Sequence, residues 1–286
     1  MTPRVTAVVL TYDAPDAVAA CVAAIRAQTV PVTTILVVDN ASEPPVDAST
    51  LGDGAIVVRN AENLGPAGGY AAGLTEFLDV GGDFAWVMDD DCRPEADALG
   101  VSLAAAADGR TVAMSTMTDR DTGAVTNTHG WCGVLIPRVV VADVGLPDAS
   151  LFWWTEDTEY VQWRIPRAGW HLVRSDARVD VGRTRVSASK PAWKYYYETR
   201  NQVHYRLHTQ RVTDRPLPRH LKFRVRAWRA ARAFTKLGSR ALAREHSGRF
   251  GKFVMVIRGG IDGVCGRLGR TVGVDDSHRP VHKGAT

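Results

Sequence analysis

Three consecutive carboxylates follow an apolar run in the stretch FAWVMDDDCRPEADAL, residues 84–99. Asp89, Asp90 and Asp91 each disfavour the ionised form of their neighbours unless a positive group lies among them. One interpretation is that Asp90 or Asp91 caps a following helix while the others are solvated. The other is a divalent metal site, because Mg²⁺ and Mn²⁺ prefer oxygen ligands and one or two carboxylates with substrate phosphates complete their shell. A cation would relieve the repulsion.

A second carboxylate pair, Glu156 and Asp157, lies in the stretch TEDTEY, residues 155–160. Two adjacent carboxylates raise one another's proton affinity, which suits a general base. The alternative is that both acids only complement the N-terminal dipole of a helix. Chemistry at this pair therefore depends on what the fold places opposite it.

The elements that must position these carboxylates indicate an α/β fold. VTAVVLTY (5–12) and TILVVDN (34–40) are apolar, Val-rich strands around the amphipathic stretch PDAVAACVAAIRAQ, which is typical of a βαβ unit. Further strands are predicted at 55–60, 84–89, 111–117 and 131–137, one or two short strands within 170–182, and helices at 66–80, 95–107 and 155–169. Ligands of open α/β sheets bind beyond the carboxyl ends of the strands, so Asp39, Asn63 and the Asp89 triplet are expected to share one crevice.

Composition and charge divide the chain unequally. Its 286 residues are 45% hydrophobic and 23% charged, as in an ordinary globular protein. Residues 211–270 contain 16 Lys or Arg against three acids, a net charge of +13 in a chain whose total is +4, so the remainder carries −9. We therefore expect an acidic globular body and a basic, helical C-terminal region.

The cysteines and the apolar runs indicate the cellular compartment. Cys21, Cys92, Cys132 and Cys265 show neither CxxC nor Cys/His spacing, so neither a zinc site nor a disulfide framework is predicted. The sequence contains no signal-like leader and no window of 18 uninterrupted apolar residues. We expect a cytoplasmic protein.

Five motifs in order resemble a known family: VVLTYDAPD, ILVVDNAS, NAENLGPAGGYAAGL, WVMDDDCRP and WWTEDTEYVQWRIPRAGW. Together they resemble the inverting family 2 glycosyltransferases, and among these the actinobacterial galactofuranosyl- and rhamnosyltransferases of cell-wall glycan synthesis. The resemblance covers about residues 5–182. It implies a GT-A type fold, a Rossmann-like and mostly parallel sheet flanked by helices. Helical patterns dominate from Lys190 onward, which predicts a domain boundary near residues 190–210. We therefore expect a catalytic domain over residues 1–200 and a helical basic C-terminal region over residues 201–286.

The resemblance implies a nucleotide-sugar site. Asp39 would bind the pyrimidine ring, although its carboxylate could merely close the turn before Ser42. The glycines after Asn63 would let backbone approach the nucleotide at a helix N-terminus that favours anions, and Asp90 would contact the donor sugar or ribose. The full set implied for the donor is Thr11, Tyr12, Asp39, Asn63, Gly65, Gly69, Asp90 and Trp154.

The resemblance also assigns the metal and the base. Asp89 and Asp91 would hold Mn²⁺ or Mg²⁺ against the diphosphate, and Asp157 would take the proton of the attacking hydroxyl, with Glu156 binding acceptor hydroxyls. Many relatives carry a metal-binding His where ARVDVG places Asp180. Either Asp180 is an oxygen ligand in its place, or the shell uses one protein ligand fewer. His171 is expected to be structural.

Trp153 and Trp154 precede the second carboxylate pair. An indole face suits the C–H surface of a sugar ring, and it equally suits a core. In the YYYETRN motif, residues 195–201, Arg200 and Asn201 are expected to help close the active site.

The implied partners are a UDP- or dTDP-linked donor of galactofuranose or rhamnose and a glycan or polyprenyl-linked acceptor. Residues 215–245 form a basic amphipathic helix that either lies on an anionic membrane, at the inner face of the cell membrane, or packs on the catalytic body. No nucleic-acid module accompanies the charge, so no nucleic-acid partner is predicted. The alternatives are a catalytically idle relative that only binds nucleotide during membrane-surface assembly, and a nucleotidyltransferase.

Overall fold

A computed structural model describes residues 3–126, 130–182, 190–209, 218–243 and 248–273. The chain forms two compact units, one comprising residues 1–149 and 156–183, the other residues 150–155 and 184–286. The division into a catalytic domain over 1–200 and a C-terminal region over 201–286 stays a prediction. Residue 200 itself lies inside a helix of the second unit.

Nine strands form one sheet in the first unit, in the order β3-β2-β1-β4-β8-β6-β9-β5 with β7 beside β6. The strands are β1 Val5–Thr11, β2 Thr34–Asp39, β3 Ala55–Arg59, β4 Phe84–Asp89, β5 Cys92–Pro94, β6 Thr111–Asp119, β7 Val125–Thr126, β8 Cys132–Pro137 and β9 His171–Val181. β3, β2, β1 and β4 are parallel, as predicted. Beyond β4 the sheet is mixed, because β8 runs antiparallel to β4 and β6 while β6 and β9 are parallel.

The strand register brings polar side chains to one edge of the parallel half. Thr11 pairs with Asp39 across β1 and β2, and Leu10 pairs with Asp89 across β1 and β4. All seven residues of β1 are buried, since helices cover both faces of the sheet. The carboxyl ends of β1, β2 and β4 therefore meet where the sequence predicts a ligand crevice.

Helices flank the sheet on both sides. They are α1 Pro15–Arg26, α2 Gly65–Val80, α3 Ala98–Ala105, α4 Arg138–Val144 and, after a π-helical turn Thr158–Arg164, α5 Ile165–Arg167. Alternate β1 residues serve two cores: Val9 packs in the core that contains Leu99, and Val8 packs in the core that contains Phe77. Three of these strands and helices, β5, β7 and α4, have no counterpart among the predicted ones. The helix predicted over 155–169 has π geometry over Thr158–Arg164.

The second unit is helical, and the predicted helical C-terminal extension is confirmed. Its helices are α6 Ala192–His204, which continues as a π-helical turn Tyr205–Thr209, α7 Arg219–Ala243 and α8 Arg249–Cys265. Phe152 packs against Trp193, Tyr196 and Tyr197 of α6. In the part of the chain that the structure describes, no helix is long and apolar enough to cross a membrane.

Candidate active site

The Asp89 triplet occupies the end of β4, where each carboxylate has a different environment. The Tyr70 hydroxyl of α2 donates a hydrogen bond to Asp89 Oδ1. Thr11 Oγ1 at the end of β1 donates to Asp90 Oδ2 at 2.7 Å. The Arg120 guanidinium donates to the backbone carbonyl of Asp91 at 2.6 Å. Neighbouring strand and helix ends thus fix the triplet.

The guanidinium groups of Arg93 and Arg120 place positive charge near the triplet, but they do not fully offset the negative charge of its carboxylates. Burial raises the pKa of Asp91, and the charges of Arg120 and Arg93 lower it without restoring the ordinary value. Burial, followed by the charge of Asp91, raises the pKa of Asp89 well above its ordinary value, although the hydrogen bond from Tyr70 acts in the opposite direction. The triplet therefore retains an affinity for further positive charge.

The donor set of the triplet fits a hard divalent cation. Asp89 and Asp91 offer carboxylate oxygens whose ionised form is disfavoured without a cation. No three His, Cys, Asp or Glu side chains among the described residues are grouped so that they alone could hold a metal ion. Mg²⁺ sites commonly take only one or two protein carboxylates and complete their shell with water and substrate phosphate. Asp89 and Asp91 meet that requirement.

Asp180 and His171 lie at opposite ends of β9. Asp180 pairs with Arg93 of β5 and with Thr118 of β6, whose hydroxyl donates to the Asp180 carboxylate. His171 is exposed, with Nδ1 3.9 Å from a carboxylate oxygen of Asp108. Nine residues of strand separate it from Asp180, about 30 Å. His171 is therefore remote from the triplet, and the ligand role of Asp180 stays a prediction.

Glu156 and Asp157 precede the π-helical turn. Asp157 Oδ1 accepts a hydrogen bond from Thr158 N at 2.7 Å, a contact that fits the alternative in which this acid complements the N-terminus of a helix. Glu156 is only 5% exposed, and its Oε2 has no hydrogen-bond partner among the described residues. Burial, followed by the charge of Asp157, raises the pKa of Glu156 well above its ordinary value. The role of Asp157 as the base stays a prediction.

The two acidic clusters act on one another electrostatically. After burial and the charges of Asp91 and Asp90, the charge of Asp157 also raises the pKa of Asp89. The charge of Asp89 likewise contributes to the raised pKa of Glu156. The first unit therefore brings the metal candidates and the base candidates into one region.

An aromatic cluster that sequence reasoning missed lies beside these acids. The Tyr70 and Trp131 rings are 4.5 Å apart between centroids, and Trp131 and Tyr160 are 6.0 Å apart. Trp131 Nε1 is buried without a hydrogen-bond partner within the described chain. The sequence signal for this cluster was Tyr70, the single aromatic residue in the glycine-rich stretch GGYAAG. A large ring among small residues at the start of a helix indicates a contact with a neighbouring element.

Asp39 is fully buried, and its carboxylate is held by the protein itself. It accepts from Ser42 N at 2.8 Å, Val46 N at 3.2 Å and the Arg59 guanidinium at 2.7 Å. Burial raises the pKa of Asp39, but the hydrogen bonds from Ser42, Val46 and Arg59 outweigh this and hold the pKa below its ordinary value. The turn-closing alternative is thus present in the structure, and contact with a pyrimidine ring stays a prediction. Tyr12, the neighbour of Thr11, is half-buried.

The glycine-rich start of α2 combines a cap with close packing. Asn63 Oδ1 accepts from Gly65 N at 2.8 Å, and Gly65 has a φ of +67°, which favours glycine. A Cβ at Gly69 would lie 2.4 Å from Leu10 Cδ1, so this glycine allows α2 to approach β1. Asn40, which sequence reasoning missed, ties β2 to this start because its Oδ1 accepts from Leu64 N at 3.0 Å. The nucleotide roles of Asn63, Gly65 and Gly69 stay predictions.

In the second unit, Asn201 holds the backbone of residues 150–155. The two N–H groups of its side-chain amide are shared among the carbonyls of Leu151, Trp153 and Trp154, which lie 2.6–2.8 Å from the nitrogen. This segment needs such support, since Phe152, Trp154 and Thr155 have φ values of 59°, 74° and 78°. Arg200, equally buried, donates to the Leu151 carbonyl at 2.7 Å. Arg200 and Asn201 thus hold the backbone of the segment that contains Trp153 and Trp154.

Trp153 and Trp154 differ in their surroundings. The Trp153 ring packs edge-on against Trp193, with 5.0 Å between centroids. Trp154 is 36% exposed, and the Lys190 ammonium lies 4.4 Å from its ring centroid. Trp153 therefore serves packing, and a sugar contact of Trp154 stays a prediction.

Comparison with known proteins agrees with this geometry. The family model described as Glycosyl transferase family 2 matches residues 6–156. The galactofuranosyltransferase GlfT1 of Mycolicibacterium smegmatis is 35% identical over 95 residues, which is 32% of both chains. The Mycobacterium tuberculosis GlfT1 (strain H37Rv) is 36% identical over 111 residues, 37% of this chain and 36% of the relative. The match thus spans about a third of the length of these curated relatives.

Two solved structures share the fold. The mannosyltransferase PcManGT from Pyrobaculum calidifontis, in complex with GDP-Man and Mn²⁺, has a TM-score of 0.58 and 17% identity, covering 93% of this chain and 88% of that one. S. aureus TarS 1–349, in complex with UDP-GlcNAc, has a TM-score of 0.59 and 15% identity, covering 91% and 81%. These likenesses confirm the predicted GT-A type fold.

Proposed function

This chain belongs to glycosyl transferase family 2, and from that premise we propose that it is a metal-dependent inverting glycosyltransferase. It would move a sugar from a nucleotide-diphosphate donor to a hydroxyl of an acceptor. The observation that carries the proposal is that the Tyr70 hydroxyl holds the Asp89 carboxylate at the end of β4, within the residues 6–156 that match the family model. Inverting transfer needs both a site that binds the diphosphate and a base on the opposite side of the anomeric carbon.

The residues take complementary roles in this proposal. Asp89 and Asp91 would hold Mn²⁺ or Mg²⁺, which when bound supplies charge neutralisation for the departing diphosphate. Tyr70 orients the Asp89 carboxylate through its hydrogen bond. Asp157 accepts the proton of the acceptor hydroxyl while that oxygen forms its bond to the anomeric carbon and the bond to the diphosphate breaks. Glu156, whose neutral form is favoured by burial, suits a hydrogen bond to an acceptor hydroxyl.

The finer proposal concerns the donor, the acceptor and the compartment. Galactofuranose from UDP is the first donor to test, because the curated relatives are named galactofuranosyltransferases, and rhamnose from dTDP is the second. The acceptor proposed is a cell-envelope glycan or a polyprenyl-linked glycan. We place the reaction in the cytoplasm at the inner face of the membrane, with contact through the basic C-terminal helices.

Thermal unfolding with Mn²⁺ and a panel of nucleotide sugars identifies the donor. A ligand bound only by the folded state at about 100 times its Kd stabilises by about 2.7 kcal/mol, which raises the melting temperature measurably. Stabilisation that requires both Mn²⁺ and one nucleotide sugar supports the proposal. No stabilisation by any member of the panel would contradict it.

Two variants then separate the predicted roles. Asp157→Asn should abolish transfer and keep Mn²⁺-dependent donor binding, whereas Asp91→Ala should weaken both. Asp176→Asn, an exposed acid of β9, is the matched control and should change neither. If Asp157→Asn transferred sugar at the normal rate, the assignment of the base would be wrong.

The second candidate is a catalytically idle relative that binds nucleotide at a membrane surface. Asp180 favours it, because it stands where many relatives carry a metal-binding His. This candidate predicts that calorimetry detects UDP binding with Mn²⁺ while no donor is hydrolysed or transferred. Turnover of any donor would exclude it.

A further inference from the structure

Exposed apolar side chains concentrate on the last two helices. Nine of the fifteen exposed large hydrophobic residues in the described part of the chain belong to α7 and α8. Five of them repeat along α8 at helical spacing and form one face, here called the α8 apolar stripe: Phe250, Val254, Ile257, Ile261 and Val264. Their exposed fractions run from 40% to 79%, and the stripe is about 21 Å long. Apolar surface of this extent signals a contact with something outside the chain.

A groove between α7 and α8 continues the stripe. It has a volume of about 520 Å³, and its wall is almost wholly apolar. Ile257, Ile261 and Val264 of the stripe form one side, and Phe223 and Phe234 of α7 contribute to the other. Phe223 is 66% exposed at the groove mouth. The groove is large enough to take a hydrocarbon chain.

The two helices that form this apolar surface are rich in positive charge. α7 contains eight Lys or Arg and no acid, and α8 contains three Lys or Arg and the single acid Asp262. Arg224, Trp228 and Arg232 follow one another at spacings of four along α7, and Trp228 is 60% exposed. A basic helix with an exposed Trp among its cations is typical of a helix in a membrane interface.

The charge also argues against the main competitor, a second copy of this chain. Two copies joined through this surface would bring two such cationic helix pairs together, and like charges across an interface oppose association. An anionic lipid surface offers the opposite charge to the cations and an apolar interior to the stripe. Both features of the surface are then used.

We propose that the α8 apolar stripe and its groove enter the acyl region of an anionic bilayer while the α7 cations contact the lipid headgroups. The proposal deepens the membrane contact of the proposed function and assigns it to particular residues. It concerns only the second unit and requires no sugar transfer.

Flotation of the full chain with lipid vesicles tests the inference, using phosphatidylcholine vesicles with and without phosphatidylglycerol. We expect binding only to the anionic vesicles. Ile257→Ser with Ile261→Ser should lower the partition coefficient roughly tenfold. Ile56→Ser with Val173→Ser is the matched control, because both side chains are 37% exposed in the first unit, and it should bind normally.

A second pair of variants tests the charge. Arg224→Glu with Arg232→Glu should lower partitioning by about thirtyfold or more, at about one factor of five for each cation near an anionic surface. Arg178→Glu, on the exposed face of β9, is its control. Circular dichroism melts establish that all variants fold.

Three outcomes would overturn the inference. These are the absence of binding to anionic vesicles, binding that the Ile257 and Ile261 variant retains, and self-association in sedimentation equilibrium that this variant abolishes. The last would identify the stripe as an interface between copies. Since flotation uses no nucleotide sugar, transfer without vesicle binding would refute only this inference, and vesicle binding without transfer would refute only the proposed enzyme.

Discussion

Substitution of a single glycine tests how α8 packs on α6. A Cβ at Gly259 would lie 2.4 Å from the Tyr196 carbonyl oxygen and 3.2 Å from Arg200 N. Both are backbone atoms of α6 and cannot rotate away as a side chain could. Gly259→Ala therefore forces the two helices apart, and this displacement also strains the buried hydrogen bond from the Tyr196 hydroxyl to Asp262 at 2.7 Å.

Gly251 of the same helix is the matched control. It is exposed, and a Cβ there would meet no described heavy atom within 4 Å. Both substitutions gain helix propensity, about 1 kcal/mol for Gly to Ala in a helix interior. Only Gly259→Ala adds overpacking, which typically costs about 1–3 kcal/mol and more where backbone must move. We expect Gly251→Ala to stabilise by up to about 1 kcal/mol and Gly259→Ala to destabilise by about 1–2 kcal/mol.

Urea unfolding followed by tryptophan fluorescence measures the difference. Trp193 of α6 reports on the second unit because it packs with Trp153 in the same unit. The transition of that unit is fitted separately where the two units unfold in steps. A Gly259→Ala protein as stable as Gly251→Ala would refute the close approach of α6 and α8. Gly263→Ala, whose Cβ would lie 2.5 Å from the Arg200 carbonyl oxygen, should repeat the loss.

Three further predictions concern the polar groups that support the fold and the site. Asn201→Ala removes two N–H donors that three backbone carbonyls share, and it removes the oxygen that accepts from Arg200 Nε, so it should lower the free energy of unfolding by about 3 kcal/mol, measured in urea. The Asp39 pKa is lowered by folding, so its contribution is fully present above the unfolded value near 3.8 and is lost as the pH falls through the lower folded pKa. Arg59→Met should therefore flatten the acid limb of the stability profile. Tyr70→Phe should raise the Mn²⁺ concentration for half-maximal donor binding about tenfold in calorimetry, since it frees the Asp89 carboxylate.

Each of these predictions has a control in the same region. Gln202→Ala loses one bond to the same segment, to Thr155 Oγ1 at 3.2 Å, and one that its Oε1 accepts from Arg206. It should cost less than Asn201→Ala, because neither bond holds a backbone carbonyl of residues 150–155; an equal cost would contradict the role of Asn201 in holding that backbone. Glu43→Gln removes only the exposed partner of Arg59 and should leave the acid limb unchanged. Tyr160→Phe breaks a bond to the Gly145 carbonyl in the same aromatic cluster, so an equal Mn²⁺ shift in both Tyr variants would rule out a specific effect of Tyr70.

The elements that could be predicted from the sequence are those that a local residue pattern is enough to identify. β1 and β2 are continuous apolar runs because helices bury both of their faces. The strand β5 is only three residues long and exists because Cys92–Pro94 pairs with Val179–Val181, nearly ninety residues later. α4 follows β8 without a loop, so the apolar run over 131–137 gave no sign of a second element. The π-helical turn could not be predicted, because apolar periodicity does not distinguish it from an α-helix.

The same distinction applies to the site. Repulsion within the Asp89 triplet predicted a positive neighbour, and Arg93 was near in sequence. The contact of Arg120 with Asp91 depends on how β6, β9 and β5 are arranged, and the bond from Tyr70 depends on the packing of α2 against the sheet. Neither arrangement is visible in a local stretch. Composition likewise predicted a basic C-terminal helix, but the apolar stripe on α8 became distinct only once α6 was seen to cover its other face.

Two sets of carboxylates in the first unit show why the end of β4 is the stronger candidate for a cation site. Asp39 is buried, but two amides and the Arg59 guanidinium fill its acceptor positions, and its pKa is lowered as a result. Asp89 and Asp91 lie in the same sheet edge, yet their pKa values remain raised in spite of Tyr70 and two guanidinium groups. A group of the first kind stabilises the fold, whereas groups of the second kind cost stability until an additional cation binds. The first unit therefore closes a turn with the carboxylate that it satisfies, whereas Asp89 and Asp91 keep an affinity for further positive charge, as a site for a metal-bound diphosphate would require.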